Sequence, residues 1–163
     1  LPRAADELEI PFVASGGMAD ARSLVAAMAL GAEGMNMGTR FIATKDAPVH
    51  QNVKEAIVNA SELDTRLIMR SLTNTERVLN NPAVESLMAK EKALGDDLTF
   101  EDIVDEVAGV YPKVMMEGEP EAGAWSCGMV AGLVNDIPSV EELINTIMTE
   151  AEEIIASKLQ KAI

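Results

Sequence analysis

Apolar and polar positions divide this chain into a short α/β opening and a longer, mostly helical remainder. Ile10–Ser15 is a brief apolar run bounded by Pro11 and Gly16-Gly17. Its length and flanking breakers predict a buried strand. Asp20 then stands before Ala21–Leu30 as a favoured N-cap, and Gly31 is a natural stop. Leu24, Ala27, Met28 and Gly31 recur at helical spacing. Gly34–Gly38 is a second short run ending in Gly38-Thr39. Strand, glycine turn, helix, strand and glycine turn make one βαβ unit, which predicts a parallel sheet.

Asp46 and Pro48 open a helical segment reaching about Ala60. Thr65–Ser71 alternates poorly and reads equally as strand or extended loop. Asn81 followed by Pro82 is a strong helix start, with Val84, Leu87, Met88 and Glu91 stacked on successive turns. Thr99 with Asp102 starts another helix running to about Val110, and Glu117–Gly123 reads as a solvent-facing loop. The last helix is the clearest. Ser139 and Glu142 form a capping box, S-x-x-E. Val140, Leu143, Ile144, Ile147, Met148, Ala151, Ile154, Ile155 and Leu159 then follow at steps of three and four. That amphipathic face has to dock on something apolar.

Composition narrows the function. Among 163 residues, 27 are acidic and 13 basic, for a net charge of −14. A reader of the nucleic-acid backbone needs basic patches, and an anionic membrane surface would repel this chain. Most of the charge falls after residue 44: the first 44 residues carry three basic and five acidic side chains. A hydrophobic share of 48% with 25% charged residues is that of a globular protein. No run approaches the roughly 20 apolar residues of a membrane span, and no signal-peptide pattern is visible. The single cysteine, Cys127, has no intramolecular disulfide partner and makes no zinc set with His50. The expectation is one domain, a reducing cytoplasmic setting and no metal.

Candidate chemistry centres on the two glycine turns. Parallel neighbours place Gly16-Gly17 and Gly38-Thr39 at the same edge of the sheet, beyond the C-terminal strand ends. Backbone N–H groups there can surround a phosphate, glycine lets an anion approach closely, and the Thr39 hydroxyl adds a further donor. The competing reading is a pair of ordinary tight turns. His50, the only histidine, sits near a helix start and reads as a capping or surface residue. It belongs to no triad, because Ser126-Cys127 has no second histidine to call on. Cys127 reads as a packed small hydrophobe and Trp125 as core or a stacking platform. Asp96-Asp97, Glu101-Asp102 and Asp105-Glu106 read as a solvated face. Met28, Met35, Met37, Met115, Met116 and Met129 are expected in the core.

Two runs carry a family resemblance. Phe12–Arg22 (FVASGGMADAR) resembles the V-x-A-x-G-G-I-A-D-G-R run of the nitronate monooxygenase family, formerly 2-nitropropane dioxygenase. Ala29–Thr44 (ALGAEGMNMGTRFIAT) resembles its A-L-G-A-x-G-V-Q-M-G-T-R-F-x-A-T run. Weaker similarity continues through Arg77-Val78 and Trp125–Leu133. The resemblance implies an α/β fold: the C-terminal part of an FMN-binding (β/α)8 TIM barrel with a mainly helical insertion. Residues 1–47 would be the last two βα units, 48–121 the acidic insertion that lids the flavin, and 122–163 the return to the barrel wall. Gly16, Gly17, Asn36, Met37, Gly38 and Thr39 would hold the FMN phosphate.

A full barrel takes about 250 residues. The resemblance therefore implies a missing N-terminal half, unpaired strand edges and an inactive piece. The family's catalytic histidine lies upstream of this region, so no catalytic residue is assigned, and His50 does not replace it. Asn36 and Met129 stand where the family commonly has glutamine. The implied activity is oxidation of alkyl nitronates with O₂ through FMN. The alternatives are an NAD(P)H:quinone reductase of the same family, a relative that reduces enoyl-acyl-carrier-protein, and a non-catalytic phosphate-binding half-barrel. Another phosphate-binding barrel, of the IMP dehydrogenase or dihydroorotate dehydrogenase kind, also shares the A-L-G-A-x-G run; Thr39-Arg40-Phe41 argues against it. The expected partners are a small nitronate or quinone and possibly NAD(P)H, with no nucleic acid and no membrane.

Overall fold

The computed structural model describes residues 1–162; Ile163, the end of the last expected segment, lies outside them. A short helix α1 (Pro2–Glu7) leads to strand β1 (Val13–Ser15), helix α2 (Ala21–Ala29), strand β2 (Gly34–Asn36) and a single helical turn, α3 (Thr39–Ile42). β1 and β2 are parallel, with Val13 opposite Gly34 and Ser15 opposite Asn36. The βαβ unit read from the sequence is therefore present. Its strands are shorter than Ile10–Ser15 and Gly34–Gly38, because pairing runs over only three residues on each.

α2 starts as its sequence dictates. The Asp20 carboxylate accepts the Ser23 N–H at 2.9 Å, and the Ser23 hydroxyl accepts the Asp20 N–H at 3.2 Å. Gly31 follows the helix at φ +96°, where a side chain would also strike Ala5. The long helix α8 (Val140–Ile154) is entered through the expected box, with Ser139 and Glu142 capping each other's backbone. Its buried face, Leu143, Ile147 and Ala151, packs on Ala21 and Val25 of α2 and on Met37.

The middle of the chain is less helical than its sequence suggests. Helix α4 (Gln51–Val58) is followed by an antiparallel hairpin of strands β3 (Thr65–Ile68) and β4 (Glu76–Leu79). The Thr65–Ser71 stretch thus divides: Thr65–Ile68 is a strand, and the chain leaves it at Met69, which takes φ +54°. Its partner, Glu76–Leu79, carries Glu76 and Arg77 and shows no clear apolar alternation, so its pairing was not legible locally. Helices α5 (Pro82–Leu94), α6 (Phe100–Val107) and α7 (Tyr111–Met115) complete the region. α6 ends before Val110, because Ala108 turns extended and Gly109 takes φ +68°.

Two apolar clusters build this middle region. Val53 and Ile57 of α4 meet Leu79, Val114, Met115, Trp125 and Cys127 in one. Ile68, Val78, Val84, Leu87 and Ile103 form the other. The segment after Gly123 adds to the hairpin: the Leu79 N–H donates to the Trp125 carbonyl, and the Cys127 N–H to that of Arg77. Trp125 is fully buried, as one of its two readings required. The methionine expectation is corrected in part. Met37 and Met115 are buried, whereas Met28, Met116 and Met129 are about half exposed or more. Spacing alone did not reveal which helical faces lack a neighbour. Among the described residues, no helix is long and apolar enough to cross a membrane.

Candidate functional site

The two glycine turns leave adjacent parallel strands at the same end. After β1, Gly16 and Gly17 take φ +92° and +74°, a region that favours glycine. Among the described residues, neither of their N–H groups donates to another backbone carbonyl. After β2, Gly38 caps α3 with φ −101° and ψ −73°. Any residue can adopt that conformation, and a Cβ at Gly38 would meet nothing within 4 Å. The first N–H groups of α3 have no intrahelical acceptor, as at any helix start.

The six expected site residues occupy one edge but play unequal parts. Asn36 donates to the Ser15 hydroxyl at 3.1 Å, tying the two strand ends together. The Met37 side chain is buried against Leu143 and Ile147, so only its backbone can face a ligand. The Thr39 hydroxyl points inward and accepts the Gly128 N–H at 2.9 Å. Among the described residues, the Thr39 N–H donates to no backbone carbonyl outside the helices and strands. Burial pushes the Cys127 thiol up to about 11, against a lowering from its hydrogen bond with Thr39, so it stays a neutral packing group. At Asp20, burial works to raise the carboxyl, but the Ser23 hydroxyl and N–H and the Arg22 guanidinium together hold it below its ordinary value.

Long-range partners supply what sequence reading could not. The Arg40 side chain is only 6% exposed and donates to the Asp136 carbonyl at 3.0 Å and its carboxylate at 2.6 Å. This fixes α3 against the segment that returns from the middle region. Arg40 and Asp136 are 96 positions apart, and neither carries a local signal of the other. A cavity of about 580 Å³ opens beside Arg40, between the start of α2 and α8, but Gly16, Gly17 and Gly38 do not line it. His50 is a cap: its Nδ1 accepts the Asn52 N–H at 3.1 Å at the start of α4.

A parallel βαβ unit whose glycine turns share one edge, with a helix closing over it, defines an α/β protein. The family model for nitronate monooxygenase matches residues 1–150, and the chain belongs to that family. It is 31% identical to a (3aS,4S,5R,7aS)-5-hydroxy-7a-methyl-1-oxo-octahydro-1H-indene-4-carboxyl-CoA dehydrogenase of Rhodococcus jostii (strain RHA1), over 93% of this chain and 52% of that protein. It is 36% identical to a probable nitronate monooxygenase of Staphylococcus haemolyticus (strain JCSC1435), over 56% of this chain and 26% of that one. The structure of FabK from Thermotoga maritima superposes with a TM-score of 0.90 at 34% identity, covering 99% of this chain and 50% of FabK. A nitroalkane oxidase from Streptomyces ansochromogenes shares the fold, with a TM-score of 0.74 at 19% identity, over 96% of this chain and 43% of its own. The chain thus spans about half the length of the dehydrogenase and of FabK.

Proposed function

We propose that this chain is the phosphate-anchoring part of an FMN-dependent oxidoreductase built as a (β/α)8 barrel. In this reading residues 1–47 are two βα units of the barrel, 48–121 a lid-like insertion, and 122–163 the return to the wall. Gly38 is the observation that carries it. Its backbone angles suit any residue and its surroundings are open, so nothing inside the protein asks for glycine there. A phosphate lying against the turn does ask for it. Gly16, Gly17 and the backbone N–H groups of Met37, Gly38 and Thr39 complete the cradle, and Asn36 holds the strand ends in register. These residues fit the phosphate of FMN.

The bound flavin would supply the redox chemistry, and the protein's share is anchoring, orientation and access. The Thr39–Gly128 hydrogen bond and the Arg40–Asp136 pair hold the turn rigid from behind, so the donors stand ready before the phosphate arrives. Nitronate oxidation by O₂ is the activity this reading expects, on the strength of family membership. A second reading, hydride transfer to or from an acyl thioester, draws support from the carboxyl-CoA dehydrogenase, which aligns over 93% of this chain.

The test is binding of FMN against riboflavin, then anaerobic reduction. FMN binding tighter than riboflavin by at least about tenfold, near 1.4 kcal/mol, is expected. Gly38→Val should erase that preference and leave folding intact. Equal affinities for FMN and riboflavin would sink the phosphate assignment. Reoxidation of the reduced flavin by an enoyl thioester, with no turnover of alkyl nitronates, would select the second reading.

A further inference from the structure

The cavity of about 580 Å³ between the start of α2 and α8 has walls that are fixed to one another. Ala21 and Val25 of α2 pack against Ala151 of α8, and Arg40 of α3 holds the segment at Asp136. Its volume falls within the range of small-ligand sites, about 300–1,000 Å³.

Arg40 gives this cavity its chemistry. The side chain lines it and is only 6% exposed. A guanidinium carries five N–H donors in a planar fork. Arg40 sends one to the Asp136 carbonyl and one to its carboxylate. Among the described residues the rest meet no protein acceptor. A buried donor without an acceptor is costly, and the fork matches a carboxylate, which takes two parallel N–H bonds.

Charge decides what must carry that carboxylate. Asp136 already balances Arg40, and Asp20 balances Arg22. What remains is on α8: Glu150 and Glu153 against Lys158, none of them in an ion pair among the described residues. A purely anionic ligand would meet an excess of negative charge there, in a chain of net charge −14. A ligand that brings an ammonium with its carboxylate adds no net charge and gives Glu150 a partner. Leu143, Ile147 and Ile154 line the same cavity at helical spacing with Glu150 and supply an apolar wall.

From these observations we propose that the cavity binds a small zwitterion with an apolar body, of the α-amino-acid class. Arg40 takes the carboxylate, Glu150 the ammonium, and the aliphatic body lies on Leu143, Ile147 and Ile154. The site does not rest on the flavin reading, because Gly16, Gly17 and Gly38 do not line the cavity.

The probes are leucine, 4-methylpentanoate, which lacks only leucine's ammonium, and 3-methylbutylamine, which lacks only its carboxylate. Each is titrated into the whole chain and followed by amide chemical shifts. Leucine is expected to bind at least tenfold more tightly than either analogue and to move the amides of Arg40, Asp136 and Glu150. Glu150→Gln, at an exposed position, should leave circular dichroism unchanged and bring leucine down to the affinity of 4-methylpentanoate. Thr146→Phe, also at an exposed position on the cavity wall, should fill the cavity and abolish binding without unfolding the chain. No leucine binding at about 10 mM overturns the proposal. Equal affinities of the parent chain for leucine and 4-methylpentanoate overturn it as well, since the ammonium then has no partner. Leucine binding untouched by both substitutions lies elsewhere on the molecule and likewise overturns it.

Discussion

Asn81 shows how far a cap signal understates a residue. As an N-cap it accepts the Val84 N–H at 2.9 Å, which the Asn81-Pro82 pair announces. Its amide nitrogen also donates to the Pro120 carbonyl at 2.9 Å and the Gly123 carbonyl at 3.0 Å. One side chain therefore ties the start of α5 to the Glu117–Gly123 loop. Removing the cap costs about 1 kcal/mol. Pro120 keeps the Trp125 indole as a donor at 2.9 Å, but the buried Gly123 carbonyl loses its side-chain donor, costing about 1–3 kcal/mol more. Asn81→Ala is therefore expected to lose about 2–4 kcal/mol in all. With a urea m-value of about 1–3 kcal/mol/M, the midpoint falls by about 1.5 M at the centres of both ranges, and by about 0.7–4 M across them. Trp125 is the only tryptophan and sits at this junction, so its fluorescence follows the unfolding. Asn81→Asp decides between the two roles. Aspartate caps as well as asparagine, but it turns a carboxylate toward two carbonyl oxygens. A loss of at least about 1 kcal/mol is expected. An Asn81→Asp protein within about 0.5 kcal/mol of the parent would refute the clamp and leave only a cap.

Other predictions follow from single contacts. Thr39→Val removes the acceptor of the Gly128 N–H and should cost about 1–3 kcal/mol, with Thr39→Ser restoring most of it in the same unfolding assay. The Ser139 N–H, and after it Lys45 and the Ser139 hydroxyl, hold the Glu142 carboxyl down to about 2. Its contribution to stability is present above the ordinary carboxylate range and is lost as pH falls toward 2. NMR titration of Glu142 should show that low midpoint, and one above 4 would contradict the contact. Thr73 sits at φ +52°, costly for a β-branched residue. Thr73→Asn should raise stability by about 0.5–1 kcal/mol, and an unchanged thermal midpoint would count against that strain.

The sequence by itself determined the features whose partners lie within a few residues. The Asp20 N-cap, the Ser139–Glu142 capping box, the helix start at Asn81-Pro82 and the glycine turn after β1 are all satisfied locally, so short windows carry them. The parallel βαβ unit followed from run lengths and glycine punctuation, and it already placed both glycine turns at one edge. Tertiary structure decided the rest. The β3–β4 pairing depends on residues whose own pattern is indifferent, and on the Trp125–Cys127 segment arriving from far along the chain. The inward turn of the Thr39 hydroxyl, the burial of Arg40 by Asp136 and the second and third bonds of Asn81 each join residues 39 to 96 positions apart. Which methionines are buried depended on which helix faces found neighbours. A local pattern fixes what a segment can become, but a hydrogen bond or an apolar contact across the fold forms only once both partners have been brought together.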